Sequence, residues 1–249
     1  MNRYQASLAH FAISLAIATL VFFAVRFAWY PGALFEVAGG LDLLLLIVFV
    51  DVTLGPLITL IIFVPGKKGL KFDLVTIALV QLAALVYGFW AIAESRPIFV
   101  AFVKDRFELV RAIDIEDKDL AKGAEATHRS ASWIGPRYVG AKLPKDPAEQ
   151  FALMISALAG KDLHTYPKYY VAYETVAADA AAKGAPMARL RSLNPDRAAE
   201  VDELVSASGR AESALAFLPM RAGKRDLTVV VDAKSGQVVR LAPLRPWEY

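Results

Sequence analysis

The chain reads as an α+β protein. An N-terminal bundle of three transmembrane helices, residues 1–96, precedes an extracytoplasmic domain, residues 97–249, with a mainly antiparallel sheet and inserted helices. Three observations predict this. Of the 249 residues 56% are hydrophobic and the mean hydropathy is +0.41, and the excess lies in the first ninety-odd residues as three long apolar runs. Charge divides at the same point: residues 1–96 hold six Lys/Arg and five Asp/Glu, leaving 22 and 20 of the 28 and 25 for residues 97–249. After Arg96-Pro97 the apolar pattern changes to the period of two that marks half-buried strands.

The first run, Leu8–Phe27, has the length needed to span a hydrocarbon core of about 30 Å. A cleaved signal peptide is the rival reading, because Arg3 supplies a thin basic start and Ala16-Ile17-Ala18 imitates a cleavage motif. That motif falls in the middle of the run, whereas signal-peptide apolar regions last only about 7–15 residues, so an uncleaved anchor is expected. The second run is Leu43–Phe63 and the third is Leu74–Ala93. Between them Lys67, Lys68 and Lys71 form a basic loop, whereas Tyr30–Asp42 carries Glu36 and Asp42 and no basic residue. The positive-inside rule then puts the N-terminus and the lysine loop in the cytoplasm and everything after Glu94 on the other side. Trp29, Tyr30 and Trp90 fall at the outer boundary, where aromatic belts form.

Polar groups inside these runs are the candidate sites. Arg26 and Asp42 lie at one level, either as a snorkelling arginine or as a pair joining two helices. Asp51 lies roughly 13 Å below Asp42, near the midplane. A carboxylate there costs about 3 kcal/mol and marks a functional site by default. It is expected either as a staple, hydrogen-bonded as the neutral acid to Tyr87 or a threonine hydroxyl, or as a partner-helix contact, a proton relay or a catalytic acid. Gln81 is expected lower than Tyr87. Gly55 permits close helix approach, and Pro56 is expected to kink the helix just after Asp51. Asp42 and Asp73 lie near the surfaces, which argues against an aspartyl-protease pair.

In the second domain Ile98–Val103 and Phe107–Ile113 read as a hairpin around Lys104-Asp105-Arg106. Asp114–Ala126 reads as helical and Arg137–Leu143 as a strand. Asp146, Pro147 and Glu149 signal a capped helix that ends at Gly160. Further helices are expected over Glu174–Lys183 and from Asn194-Pro195 to Ala207. A strand over Leu215–Met220 and a hairpin of Leu227–Val231 and Val238–Leu241 close the chain. Tyr166, Tyr169, Tyr170 and Tyr173 read either as core and edge residues or, with Trp133 and Tyr138, as a protein-binding surface.

Function classes are narrowed by what is missing. The net charge of +3 comes from interleaved charges, which offers no nucleic-acid surface. There is no cysteine, so disulfide and thiol chemistry are excluded. His10, His128 and His164 lack metal-ligand spacing, no hydrolase or phosphate-binding motif occurs, and no cofactor is expected.

Several blocks carry a family resemblance. They are Trp29-Tyr30-Pro31-Gly32, Asp51-x-x-x-Gly55-Pro56-Leu57-x-Thr59-Leu60, Pro65-Gly66-Lys67-Lys68, Lys71-Phe72-Asp73-Leu74 and Gln81. Further along come Arg96-Pro97, Asp105-Arg106-Phe107, Lys224-Arg225-Asp226-Leu227-Thr228-Val229 and Leu244-Arg245-Pro246-Trp247-Glu248. In this order they resemble the type IV pilin accessory protein family over essentially the whole chain. The resemblance implies a non-enzymatic inner-membrane protein that acts on a pilin subunit in type IV pilus biogenesis, with the pilus assembly platform as a further partner. Rival readings are a membrane-anchored sensor with a ligand-binding outer domain and a membrane enzyme using Asp51.

Overall fold

The first helix begins where Asn2 caps it: the Gln5 amide donates to Asn2 Oδ1 at 2.9 Å, and the Asn2 amide donates to Gln5 Oε1 at 3.0 Å. The computed structural model describes residues 1–223 and 225–248, so Lys224 of the Lys224–Val229 block lies outside the described residues. Among the described residues three helices are long and apolar enough to cross a membrane: α1 (Arg3–Trp29), α2 (Gly40–Ile62) and α3 (Leu70–Ser95), with mean hydropathies of 2.3, 2.5 and 2.0. The first and third extend past both ends of the apolar run expected from sequence, and the second starts three residues before its run and ends one residue short of it. Gly39 and Gly69, at φ 85° and 89°, take the left-handed conformation immediately before α2 and α3. The basic loop is closed by Lys67 Nζ on Asp73 at 2.7 Å. Both α1 and α2 contain π-helical turns, over Ala24–Trp29 and Phe49–Leu54.

One eight-stranded sheet follows. Its strands are β1 (Pro97–Val103), β2 (Arg106–Arg111), β3 (Arg137–Ala141), β4 (Tyr170–Ala172), β5 (Ala185–Pro186), β6 (Leu215–Arg221), β7 (Leu227–Asp232) and β8 (Val238–Ala242). The order is β4-β3-β1-β2-β6-β7-β8, with β5 paired to β6. The β1–β3 and β2–β6 pairs are parallel and the other five antiparallel, so the sheet is mixed with an antiparallel majority. The hairpins read from sequence are β1–β2 and β7–β8. The helices α4 (Pro147–Leu158), α5 (Ala177–Lys183), α6 (Met187–Leu193) and α7 (Ala198–Ala207) lie between β3 and β6.

Local differences from the sequence reading have physical causes. Of Asp114–Ala126 only Asp117–Leu120 is α-helical, and beyond it Gly123 lies against His128, where a Cβ would stand 2.6 Å from the His128 carbonyl oxygen. Asp146 caps α4 through the Ala148 amide at 3.0 Å, but Glu149 reaches Lys168 instead of completing a capping box. The helix expected from Glu174 starts at Ala177, after a 3₁₀ turn over Tyr173–Thr175.

The bundle and the sheet share an apolar core. Trp29, Tyr30, Leu34, Phe35 and Val37, at and after the end of α1, belong to the same buried cluster as Val100, Phe102, Phe107, Leu218 and Val229 of the sheet. The loop between α1 and α2 thereby joins the two regions. Burial holds the Tyr30 hydroxyl above its ordinary titration range and lowers the pKa of Arg96.

Candidate functional site

Pro56 has no amide hydrogen, so the carbonyl four residues earlier, at Val52, loses its helical donor. The chain accommodates this with the π turn over Phe49–Leu54, and the Gly55 N–H donates to the Val50 carbonyl. Asp51, just after which a kink was expected, lies inside this π turn. Such turns recur at functional sites.

Asp51 lines a cleft of about 230 Å³ between the three helices. Ile13, Ile17, Leu82 and Leu85 form apolar walls, and His10, Ser14, Asp51 and Gln81 add polar groups. Asp51 is only 7% exposed, and its Oδ1 has no hydrogen-bond partner among the described residues. An unsatisfied buried acceptor costs about 1–3 kcal/mol. Around it, Ser7 Oγ donates to the Pro56 carbonyl at 2.9 Å, and His10 Nδ1 lies 2.7 Å from Thr59 Oγ1, tying α1 to α2. Gln81 Nε2 approaches the Asp51 carbonyl oxygen at 3.4 Å. A Cβ at Gly55 would lie 1.8 Å from Gln81 Nε2, so the missing side chain makes room for α3.

The expected Tyr87–Asp51 hydrogen bond is corrected. Tyr87 is 68% exposed, and its ring lies 5.8 Å from that of Trp90. Its neighbour Gly88 packs against Ile47, a full turn from Asp51. Gln81 is the α3 residue at the Asp51 level. Equal counting from the turn at Gly66 would have found it, since Asp51 and Gln81 each lie 15 residues from that turn. His10 and Ser14 were missed, although Ser7, His10 and Ser14 recur at helical spacing on one face of α1. The Arg26 guanidinium lies over the rings of Phe27 and Phe35, at 5.4 and 5.6 Å, and Asp42 sits in the first turn of α2.

In the sheet domain the tyrosines do not form one exposed surface. Tyr170 and Tyr173 are buried. Tyr170 donates to the His164 carbonyl and meets the Phe99 ring edge-on at 5.2 Å. Tyr173 donates to the Gly236 carbonyl at 2.6 Å. Tyr170 belongs to β4, paired with β3, and Tyr173 opens the 3₁₀ turn that follows it. Tyr166 Oη is 2.5 Å from Ser156 Oγ, and Lys168 Nζ lies over the half-buried Tyr169 ring. Tyr138 on β3 is half-buried, and desolvation pushes its hydroxyl up to about 12. Trp133 is exposed, but beside the end of α1. A contiguous exposed apolar stripe lies on α4, where Phe151, Met154, Ile155 and Leu158 share one face and Leu153 is the buried residue. Among the described residues no group of three or more His, Asp or Glu could hold a metal ion.

No family model matches this chain, and no solved structure matches it. Similar curated proteins come from Dichelobacter nodosus. The fimbrial assembly protein of serogroup I is 32% identical over 168 residues, which are 67% of this chain and 65% of the relative. That of serogroup E1 is 31% identical over 167 residues, 66% of this chain and 63% of the relative. The chain thus spans a little under two thirds of the length of these two. The fimbrial assembly protein of serogroups C1 and C2 is 36% identical over 108 residues, 43% of this chain and 82% of the relative. With most of that relative matched at this identity, the chain belongs to the family of fimbrial assembly proteins, consistent with the type IV pilin accessory resemblance of its sequence blocks.

Proposed function

We propose that this protein supports type IV pilus biogenesis without catalysis, by binding a pilin subunit in the inner membrane and shielding it until the assembly platform takes it. The relatives' names support the role in pilus biogenesis. The observation that carries the finer reading is the intramembrane cleft, whose walls are apolar and whose buried Asp51 Oδ1 has no hydrogen-bond partner among the described residues. A membrane helix that brings a hydrogen-bond donor to that depth would fill the apolar space and satisfy the acceptor together. The lysine loop supports an orientation with the N-terminus cytoplasmic and the sheet domain periplasmic. In that orientation the α4 stripe is available to the pilin head. Arg26, at the opposite end of α1 from the N-terminus, is a second candidate contact to the pilin helix.

The test is a crosslinking pull-down of the full chain from its native membrane. Pilin among the captured proteins is the expected result. Efficient crosslinking to other proteins with pilin missing contradicts the reading and favours the sensor. Unchanged pilin capture by Arg26→Ala removes Arg26 from the contact.

A further inference from the structure

The segment Ser132–Gly135 belongs to the sheet domain by sequence, yet it sits at the depth of the spanning helices. The Trp133 ring lies 6.0 Å from that of Trp29, and Trp29 in turn lies 5.0 Å from Phe89 of α3. Phe89 is six residues before the last residue of α3, so it stands roughly 9 Å below that helix end. Both flanks of the segment are tied to residues at the ends of α1 and α3. The Gly135 amide donates to the Ala28 carbonyl at 2.6 Å, and Arg96 Nε donates to the Ser132 carbonyl at 3.0 Å. The Arg96 guanidinium covers the Trp133 ring at 4.1 Å.

Held in this way, Trp133 is 61% exposed and Ile134 83% exposed. Exposed Phe27 and Trp90 stand at the same end of α1 and α3. Water is a poor solvent for an isoleucine and a tryptophan fixed side by side. The interfacial layer of a bilayer suits both, because an indole takes apolar contact along its body and hydrogen bonds at its N–H. Continuity with the aromatic residues of two spanning helices identifies the occupant as lipid.

We propose that Trp133 and Ile134 insert into the bilayer interface at the sheet-domain end of the bundle and fix the tilt of the sheet domain on the membrane. This does not depend on pilin binding. The chain has no cysteine, so single-cysteine labelling is clean. Ile134→Cys and, as a control on the same domain, Leu158→Cys are labelled with bimane in the full chain. The labelled proteins are reconstituted in nanodiscs of phosphatidylcholine and phosphatidylglycerol, with or without bromine at acyl carbons 6 and 7. Brominated lipid is expected to lower the emission at position 134 at least two-fold, with weak quenching by iodide. Position 158, also 83% exposed, should show the reverse. Iodide quenching at 134 equal to that at 158 overturns the proposal. So does protection from iodide without quenching by brominated lipid, which would mean that a second copy of the chain covers the segment.

Discussion

Gly236→Ala is expected to cost about 2–5 kcal/mol, a large part of the ~5–15 kcal/mol that stabilises a typical domain. Gly236 has φ 72°, where an L-residue loses roughly 1–2 kcal/mol. A Cβ there would also stand 1.8 Å from the Ala177 carbonyl oxygen, at the start of α5. That oxygen is backbone and cannot rotate away, so α5 or the β7–β8 turn must shift, at a further cost of about 1–3 kcal/mol. The turn resists, because Asp232 Oδ1 accepts from the Lys234 and Ser235 amides at 3.1 and 2.8 Å and from Ser235 Oγ at 2.9 Å. The Tyr173 hydroxyl, bonded to the Gly236 carbonyl, would move with it. Gly209→Ala is the control, with a similar φ of 66° and open space around the added carbon. Thermal unfolding should show the larger loss at 236, and equal losses at the two positions would refute the packing argument.

Asp51→Leu is expected to raise stability while pilin capture falls at least ten-fold. Replacing a buried acceptor that lacks a partner by an apolar side chain relieves about 1–3 kcal/mol of desolvation. A structural staple behaves oppositely, since removing it leaves its partner unpaired and lowers stability. Asp51→Asn retains an acceptor oxygen and should keep part of the capture, which also separates a contact role from a catalytic acid. Thermal unfolding in detergent combined with pilin co-purification reads both quantities. A destabilised Asp51→Leu that still captures pilin would assign Asp51 to the bundle alone.

What was legible in the chain follows the range of the interactions. The spanning helices, the β1–β2 and β7–β8 hairpins and the Asp146-Pro147 helix start are set by neighbours a few residues apart, and sequence pattern shows them. The β1–β3 and β2–β6 parallel pairs join strands far apart in sequence, and no local signal encodes them. The core-or-surface choice for Tyr170 stayed open in the sequence because β4 is three residues long and too short for its alternation to register. At the site, Asp51, Gly55, Pro56 and Gln81 were legible as polar or small residues in apolar runs. The depth assignment failed at Tyr87, because the count up from the lysine loop was not matched to the count on the α2 side of the turn, which puts Gln81 at the Asp51 level. The α4 stripe of Phe151, Met154, Ile155 and Leu158 was visible at i, i+3, i+4 and i+7, but its lack of a cover required the folded sheet domain.

The most direct test of the intramembrane cleft as the pilin site is photocrosslinking in the native membrane. A photoreactive residue is placed at Leu82, on the cleft wall, and in a separate chain at Phe49, which is exposed but outside the cleft lining. The account predicts a pilin adduct from position 82 and little or none from position 49. Equal adducts from both positions, or a pilin adduct from 49 alone, would contradict it.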